Sequence, residues 1–209
     1  MGLLAKDSGG GMEFEPLPAG SYVARCITVC DLGLQPSGFG NKEKIYLGFE
    51  VPAKRVKWKD KDGNEQEGAA LIGSRYTLSI HPKSILGQHL VSWRGKDFTD
   101  EERKGFDVFA VLGGTCMISV THTVKGTKTY ANIAAIMRVP HGTSVPDLEG
   151  ELIGYTAMDP AYSGTIDKLP EWLKKLALEG QRMGAEAPAA ASAPPPMPGP
   201  DDFDDDIPF

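Results

Sequence analysis

Apolar and polar positions alternate most cleanly from Lys44 to Val51, where Ile45, Leu47, Phe49 and Val51 share one face and Lys44, Tyr46, Gly48 and Glu50 the other. A period of two is that of a strand with one face on a core. Ser21 to Leu32 differs, because Tyr22, Val23, Ala24, Cys26, Ile27, Val29 and Cys30 leave no wet face. That run predicts a central strand covered on both sides. Gly33 to Asn41 carries turn chemistry. Beyond Pro52, the segment Lys54-Arg55-Val56-Lys57-Trp58-Lys59 leads to a hairpin tip at Asp62-Gly63-Asn64. A long, basic, Trp-bearing arm is therefore expected before the chain returns through Leu71-Ile72 to the alternating stretch Arg75 to Ile80.

The period then changes. Ile85, Leu86, His89, Leu90 and Trp93 fall at helical spacing, with Pro82 at a first turn and Gly95 at a stop. Thr99 followed by Asp100, Glu101 and Glu102 is an N-cap with an acidic first turn, interrupted at Gly105; Val108 to Leu112 adds a turn before Gly113-Gly114. Cys116 to Val124 alternates again, and Thr129 to Arg138 returns as its hairpin partner across Lys125 to Lys128. Strand, strand, arm, strand, helix, strand, strand is the order of an OB-fold, a mainly β, five-stranded Greek-key barrel whose open face and loops bind oligonucleotides. Small mixed sheets share this order.

Five segments follow: a lead-in over residues 1–20, the barrel over 21–140, an irregular extension with an amphipathic helix over 141–184, an Ala/Pro-rich linker over 185–200 and an acidic tip over 201–209. In the extension, Pro170 to Glu179 places Trp172, Leu173, Leu176 and Ala177 on one side and Lys174, Lys175 and Glu179 toward water. That helix is expected to pack on the barrel or on a second subunit, which leaves a homo-oligomer open. The linker is a semi-extended spacer reaching at most about 50 Å. The tip is expected to be disordered.

Composition sharpens this picture through charge. The net charge is −6, yet residues 20–140 carry 17 Lys and Arg against 12 Asp and Glu. A mildly basic body with an acidic tail suits a groove that tracks phosphates, although ordinary surface variation gives the same balance. Three cysteines, no signal peptide and no long apolar run lead to the expectation of a cytoplasmic protein with no membrane association and no disulfide framework.

The tip ends in Ile207-Pro208-Phe209, which pairs an aromatic ring with a main-chain carboxylate on one residue, while Pro208 keeps the segment extended. Capture of such an end by a pocket and a basic side chain is a known recognition mode. Asp202-Phe203-Asp204-Asp205-Asp206-Ile207-Pro208-Phe209 resembles, residue for residue, the C-terminal tip of bacterial single-stranded-DNA-binding proteins. Asp201 departs from that family, which commonly has Met there. The match covers only the tail. It implies docking of replication, repair or recombination enzymes through these eight residues. The wording of the body, in Pro18-Ala19-Gly20-Ser21-Tyr22, Ser92-Trp93-Arg94-Gly95-Lys96 and Tyr130-Ala131-Asn132-Ile133, is also similar to bacteriophage-encoded single-stranded-DNA-binding or replication proteins.

Single strands are held by cations on phosphates and aromatic faces on bases. Candidates are Lys44, Tyr46, Lys57, Trp58, Lys59, Arg75, Lys125 and Lys128, with Phe39 a weaker one. Tyr46 serves equally as a stacking face or as a partly buried ring. Trp58 is read as a base contact in preference to protein packing. Lys125 and Lys128 cap a hairpin that reaches DNA or is simply solvated. Trp93 and Phe49 belong with the core. The four histidines show no metal-ligand spacing, Cys26 and Cys30 lack a second ligand pair, and no nucleophile, base and orienter set is visible. The expectation is a non-enzymatic protein without metal or cofactor. It binds single-stranded DNA without strong sequence preference and recruits enzymes through its tip. The alternative is an adaptor or decoy that displays the tip without binding nucleic acid.

Overall fold

The computed structural model describes residues 16–38, 40–59 and 63–186. Five long strands, β1 (Gly20–Ser37), β2 (Gly40–Lys59), β3 (Glu65–Thr77), β4 (Thr115–Lys125) and β5 (Lys128–Met137), form one antiparallel sheet in the order β3-β2-β1-β4-β5. The sheet curls until β5 approaches β3, giving a half-barrel around one core. The alternation in β2 is realised: Ile45, Leu47, Phe49 and Val51 are all buried, and Phe49 faces Ile72 across the ladder. Trp93 joins that core and donates its indole N–H to the Thr115 carbonyl at 2.7 Å.

α1 (Ile85–Arg94) lies against β3 and β5. Ser84, not Pro82, starts it, because the Ser84 hydroxyl accepts from the Gly87 N–H at 3.0 Å. Gly95, at φ 67°, closes it in a left-handed conformation that favours glycine. α2 (Asp100–Lys104) has the full reciprocal cap between Thr99 and Glu102, and a 3-10 turn follows at Val108–Val111.

β1 runs on through Gly33 to Ser37, where turn chemistry predicted a loop. Pairing with β2 as far as Ser37↔Gly40 outweighs local turn preference. The turn residues are absorbed by a bulge between Asp31 and Gly33, with the Gly33 N–H held by Asp31 Oδ1 at 2.8 Å.

The extension is more ordered than its irregular composition predicted. β6 (Ile153–Tyr155) pairs in parallel with Thr28–Cys30 as a sixth strand; α3 (Pro160–Ser163) and a 3-10 turn at Ile166–Lys168 follow. α4 spans Glu171–Glu186, well past the predicted Glu179. A second small core forms on the outer face of β1, from Cys30, Leu32, Tyr155, Leu169, Leu173 and Ala177. β1 is thus covered on both faces. Among the described residues no helix is long and apolar enough to cross a membrane.

Candidate nucleic-acid interface

The outer face of β2 and β3 carries the cross-strand pairs Lys44↔Thr77, Tyr46↔Arg75, Gly48↔Gly73 and Glu50↔Leu71. Side chains directly opposite in a ladder share a face, so Lys44, Tyr46 and Arg75 come together as one group. Arg75 is exposed and, among the described residues, has no ion-pair partner. Tyr46 does not stand out from the sheet. Its ring lies across the two glycines: a Cβ on Gly48 would come within 3.0 Å of it, and one on Gly73 would overlap it. Trp172 of α4 meets the same ring edge-on, at 5.3 Å and 82°. Burial pushes the Tyr46 phenol up to about 12, with the neighbouring Cys30 and Cys26 adding to the effect. Tyr46 is thus a half-buried ring, and the more exposed aromatic beside it is Trp172, at 51%. Helical spacing groups Trp172 with the buried Leu173, whereas the fold leaves Trp172 exposed.

The arm is less basic than its outgoing strand. Between Pro52 and Ala69 the sequence holds five Lys and Arg but also four Asp and Glu. Arg55 makes a two-pronged contact with Glu149, 2.7 Å to each oxygen, and reaches Glu67 at 3.4 Å. Lys57 lies 3.8 Å from Glu67, and Lys54 sits 5.7 Å from the centre of the Tyr22 ring. Trp58 is half-buried and packs over Gly68, where an added Cβ would come within 2.9 Å of the indole.

Register also separates the two predicted aromatics. Between Val51 and Arg55 the ladder shifts, so that Ala70 pairs with Val51 and Ala69 with Arg55. Tyr46 is paired with Arg75 but Trp58 with Gln66, and odd and even positions of β3 point to opposite faces. Tyr46 and Trp58 do not form one platform. The side chain of Lys59, residues 60–62 of the arm tip, Phe39, the Asp202–Phe209 tip, the linker beyond residue 186 and the lead-in before residue 16 lie outside the described residues.

Lys125 and Lys128 face each other across the two-residue turn Gly126-Thr127, with Gly126 at φ 61°. Both are exposed, and neither has an ion-pair partner among the described residues. Val124 and Tyr130 beside them are also exposed. β1 starts at Gly20, opposite Val120, and meets Glu50 at Arg25. The arm beyond Glu50 and the hairpin beyond Val120 consequently project from the same end of the sheet.

The fourth outer residue of β2, Glu50, is buried and has another task. Its carboxylate accepts from the backbone N–H of Glu149 at 3.0 Å and of Gly150 at 2.7 Å, pinning the strap that leads into β6. Cys26, Cys30 and Cys116 are buried free thiols; burial raises all three, Cys26 and Cys30 to about 12, so none is a nucleophile at neutral pH. Among the described residues no group of three or more His, Cys, Asp or Glu side chains is placed to hold a metal ion. The surface offers cations, ring faces and two projecting hairpins. Comparison with family models, with curated proteins and with solved structures gives no match.

Proposed function

We propose that this protein binds single-stranded DNA with little sequence preference, on the outer β2–β3 face and between the two hairpins, and that the Asp202–Phe209 tip recruits replication, repair or recombination enzymes to the coated strand. The reading rests on one conjunction: an octapeptide of the single-stranded-DNA-binding type on a curled antiparallel sheet in the order β3-β2-β1-β4-β5, with its helix between β3 and β4. That order, with β5 returning toward β3, is consistent with an OB-like barrel, a fold that takes oligonucleotides on the β2–β3 face and the loop after β4. Arg75, Lys125 and Lys128 supply cations that no carboxylate among the described residues neutralises. The binding energy would come from phosphates and stacked rings, so affinity should fall with salt.

The test is anisotropy of a labelled oligo-dT titrated with the full chain at two salt concentrations. Arg75→Glu is expected to weaken binding roughly tenfold, and Lys125→Ala with Lys128→Ala to flatten the salt dependence by about 1.4 units of slope. Removing residues 202–209 should leave binding intact or tighter while abolishing enzyme recruitment. No binding at low salt would overturn the DNA-binding role.

A second reading, an adaptor that displays the tip without touching nucleic acid, is favoured by the neutralised arm: Arg55 and Lys57 are engaged by Glu67 and Glu149. It predicts recruitment without oligonucleotide binding, and Tyr46→Ala, Trp58→Ala and Arg75→Ala affecting folding alone.

A further inference from the structure

We infer that Trp172 is a nucleobase-stacking residue, so that the C-terminal extension supplies part of the nucleic-acid face and does not merely cover β1; the role presupposes the single-strand binding proposed above. Trp172 opens α4, whose next residues inward, Leu173 and Ala177, are buried at 1% and 0%. Tryptophan is highly buried on average, yet here the largest side chain of the helix stays half open while smaller ones fill the contact with β1. It meets Tyr46 at 5.3 Å with the two ring planes nearly perpendicular, at 82°, so the two rings do not stack on each other. Tyr46 lies flat over Gly48 and Gly73 and acts as the support.

Arg75, directly across the ladder from Tyr46, gives this ring pair a neighbouring cation with no ion-pair partner among the described residues. A ring face beside an unneutralised guanidinium is what a base and its phosphate need together. The exposed side of α4 itself is not a phosphate track. Glu171 and Glu179 share it, Lys174 is tied to Asp167 and Lys175 lies 3.9 Å from Glu179, which leaves Arg182, near the far end of the helix, as its one cation without an ion-pair partner among the described residues. Stacking from α4 and charge from β3 is therefore the division of labour. A second copy of the chain, the other occupant that an exposed Trp could attract, would gain one ring but leave Arg75 and the glycine-backed Tyr46 without counterparts.

The experiment compares the full-length chain with Trp172→Ala and Trp172→Phe by anisotropy of labelled oligo-dT, alongside thermal melting and sedimentation. Trp172→Ala should weaken binding about tenfold, Trp172→Phe much less, and neither should change the salt slope, because no phosphate contact is lost. In a Trp58→Phe background, oligo-dT should quench the remaining emission, and adding Trp172→Phe should remove that quench; this readout stands even if Trp172→Ala folds poorly. Unchanged affinity in Trp172→Ala while Arg75→Glu still weakens binding overturns the stacking role and leaves the DNA-binding proposal in place. So does a loss of oligomeric mass without loss of affinity. If the parent chain binds no oligo-dT, both fall.

Discussion

The outer face of β1 and the outer face of β2–β3 belong to one sheet, yet one is sealed and the other largely open. β1 presents Cys30 and Leu32, which take β6 and α4 into a second core. Gly33 and Gly180 let the helix backbone approach the strand: a Cβ on Gly33 would fall 2.7 Å from the Gly180 carbonyl carbon, and one on Gly180 would overlap the Leu32 carbonyl oxygen. β2 and β3 present Lys44, Tyr46, Arg75 and the 67%-exposed Leu71. Covering that face would strip water from Arg75, which has no ion-pair partner among the described residues, at a cost apolar contact does not offset. The boundary crosses β2 itself, since Glu50 is sealed under the strap while Tyr46 lies at its edge under Trp172. What lies over a sheet is decided by the side chains it offers, position by position.

The largest expected effect comes from unsealing β1. Gly180→Val puts side-chain atoms where the Leu32 carbonyl stands, so α4 must lift and release Leu173 and Ala177. The expected loss is about 3 kcal/mol or more, read as a lower denaturation midpoint, with Cys30 becoming reactive to a thiol reagent in the folded state. Gly73→Ala on the open face is the matched control. What it meets is side chain and not backbone, the Tyr46 ring from its hydroxyl to Cε2. Equal destabilisation by the two substitutions would break the contrast between the faces.

A smaller effect sharpens where the boundary runs. Glu50→Ala leaves the Glu149 and Gly150 N–H groups without their buried acceptor, a loss of about 2 kcal/mol. Hydrogen exchange at these two amides should accelerate, while Glu50→Gln, which retains one accepting oxygen, should cost less. Unchanged exchange in Glu50→Ala would show that the strap is held by its neighbours and not by this carboxylate.

Local pattern carried the sequence far where the determinant was local. Period two places Ile45, Leu47, Phe49 and Val51 in the core, and Thr99 before an acidic first turn marks the N-cap of α2. β6 was not legible, because three residues, Ile153-Gly154-Tyr155, pair with a strand over a hundred positions earlier and show no alternation of their own. Simple alternation along β2 would put Tyr46 and Trp58, both at even positions, on one face; the register shift after Val51 sends Trp58 to the other. Such irregularities leave little trace in composition. The arm's outgoing strand reads as basic by itself, but the returning strand brings Glu65 and Glu67, and Glu67 engages both Arg55 and Lys57. Trp172 was assigned by helical spacing to the buried stripe, whereas that stripe is centred on Leu173, Ala177 and Gly180.

The smallest effect lies beneath the open face. Tyr76, the inward neighbour of Arg75 on β3, faces His89 of α1, with its hydroxyl 3.2 Å from Nδ1 and the rings edge-on at 5.6 Å. Burial lowers the His89 pKa below 6.5, partly opposed by a hydrogen bond to the Ala134 backbone, while burial raises that of the Tyr76 phenol, so the phenol keeps its proton throughout. Well above pH 6.5 His89 is uncharged in both folded and unfolded chains. As pH falls through 6.5 the unfolded chain takes up the proton first, so stability must decline until the lower folded value is reached, and flatten beyond it. One proton limits the slope to about 1.4 kcal/mol per pH unit. Denaturant midpoints measured at steps between neutral and mildly acid pH should show this decline in the parent chain and lose that component in His89→Gln, whereas Arg75→Gln, on the other side of the same strand, should leave it untouched. A slope that survives in His89→Gln would mean that the acid sensitivity of the core under the open face comes from another group.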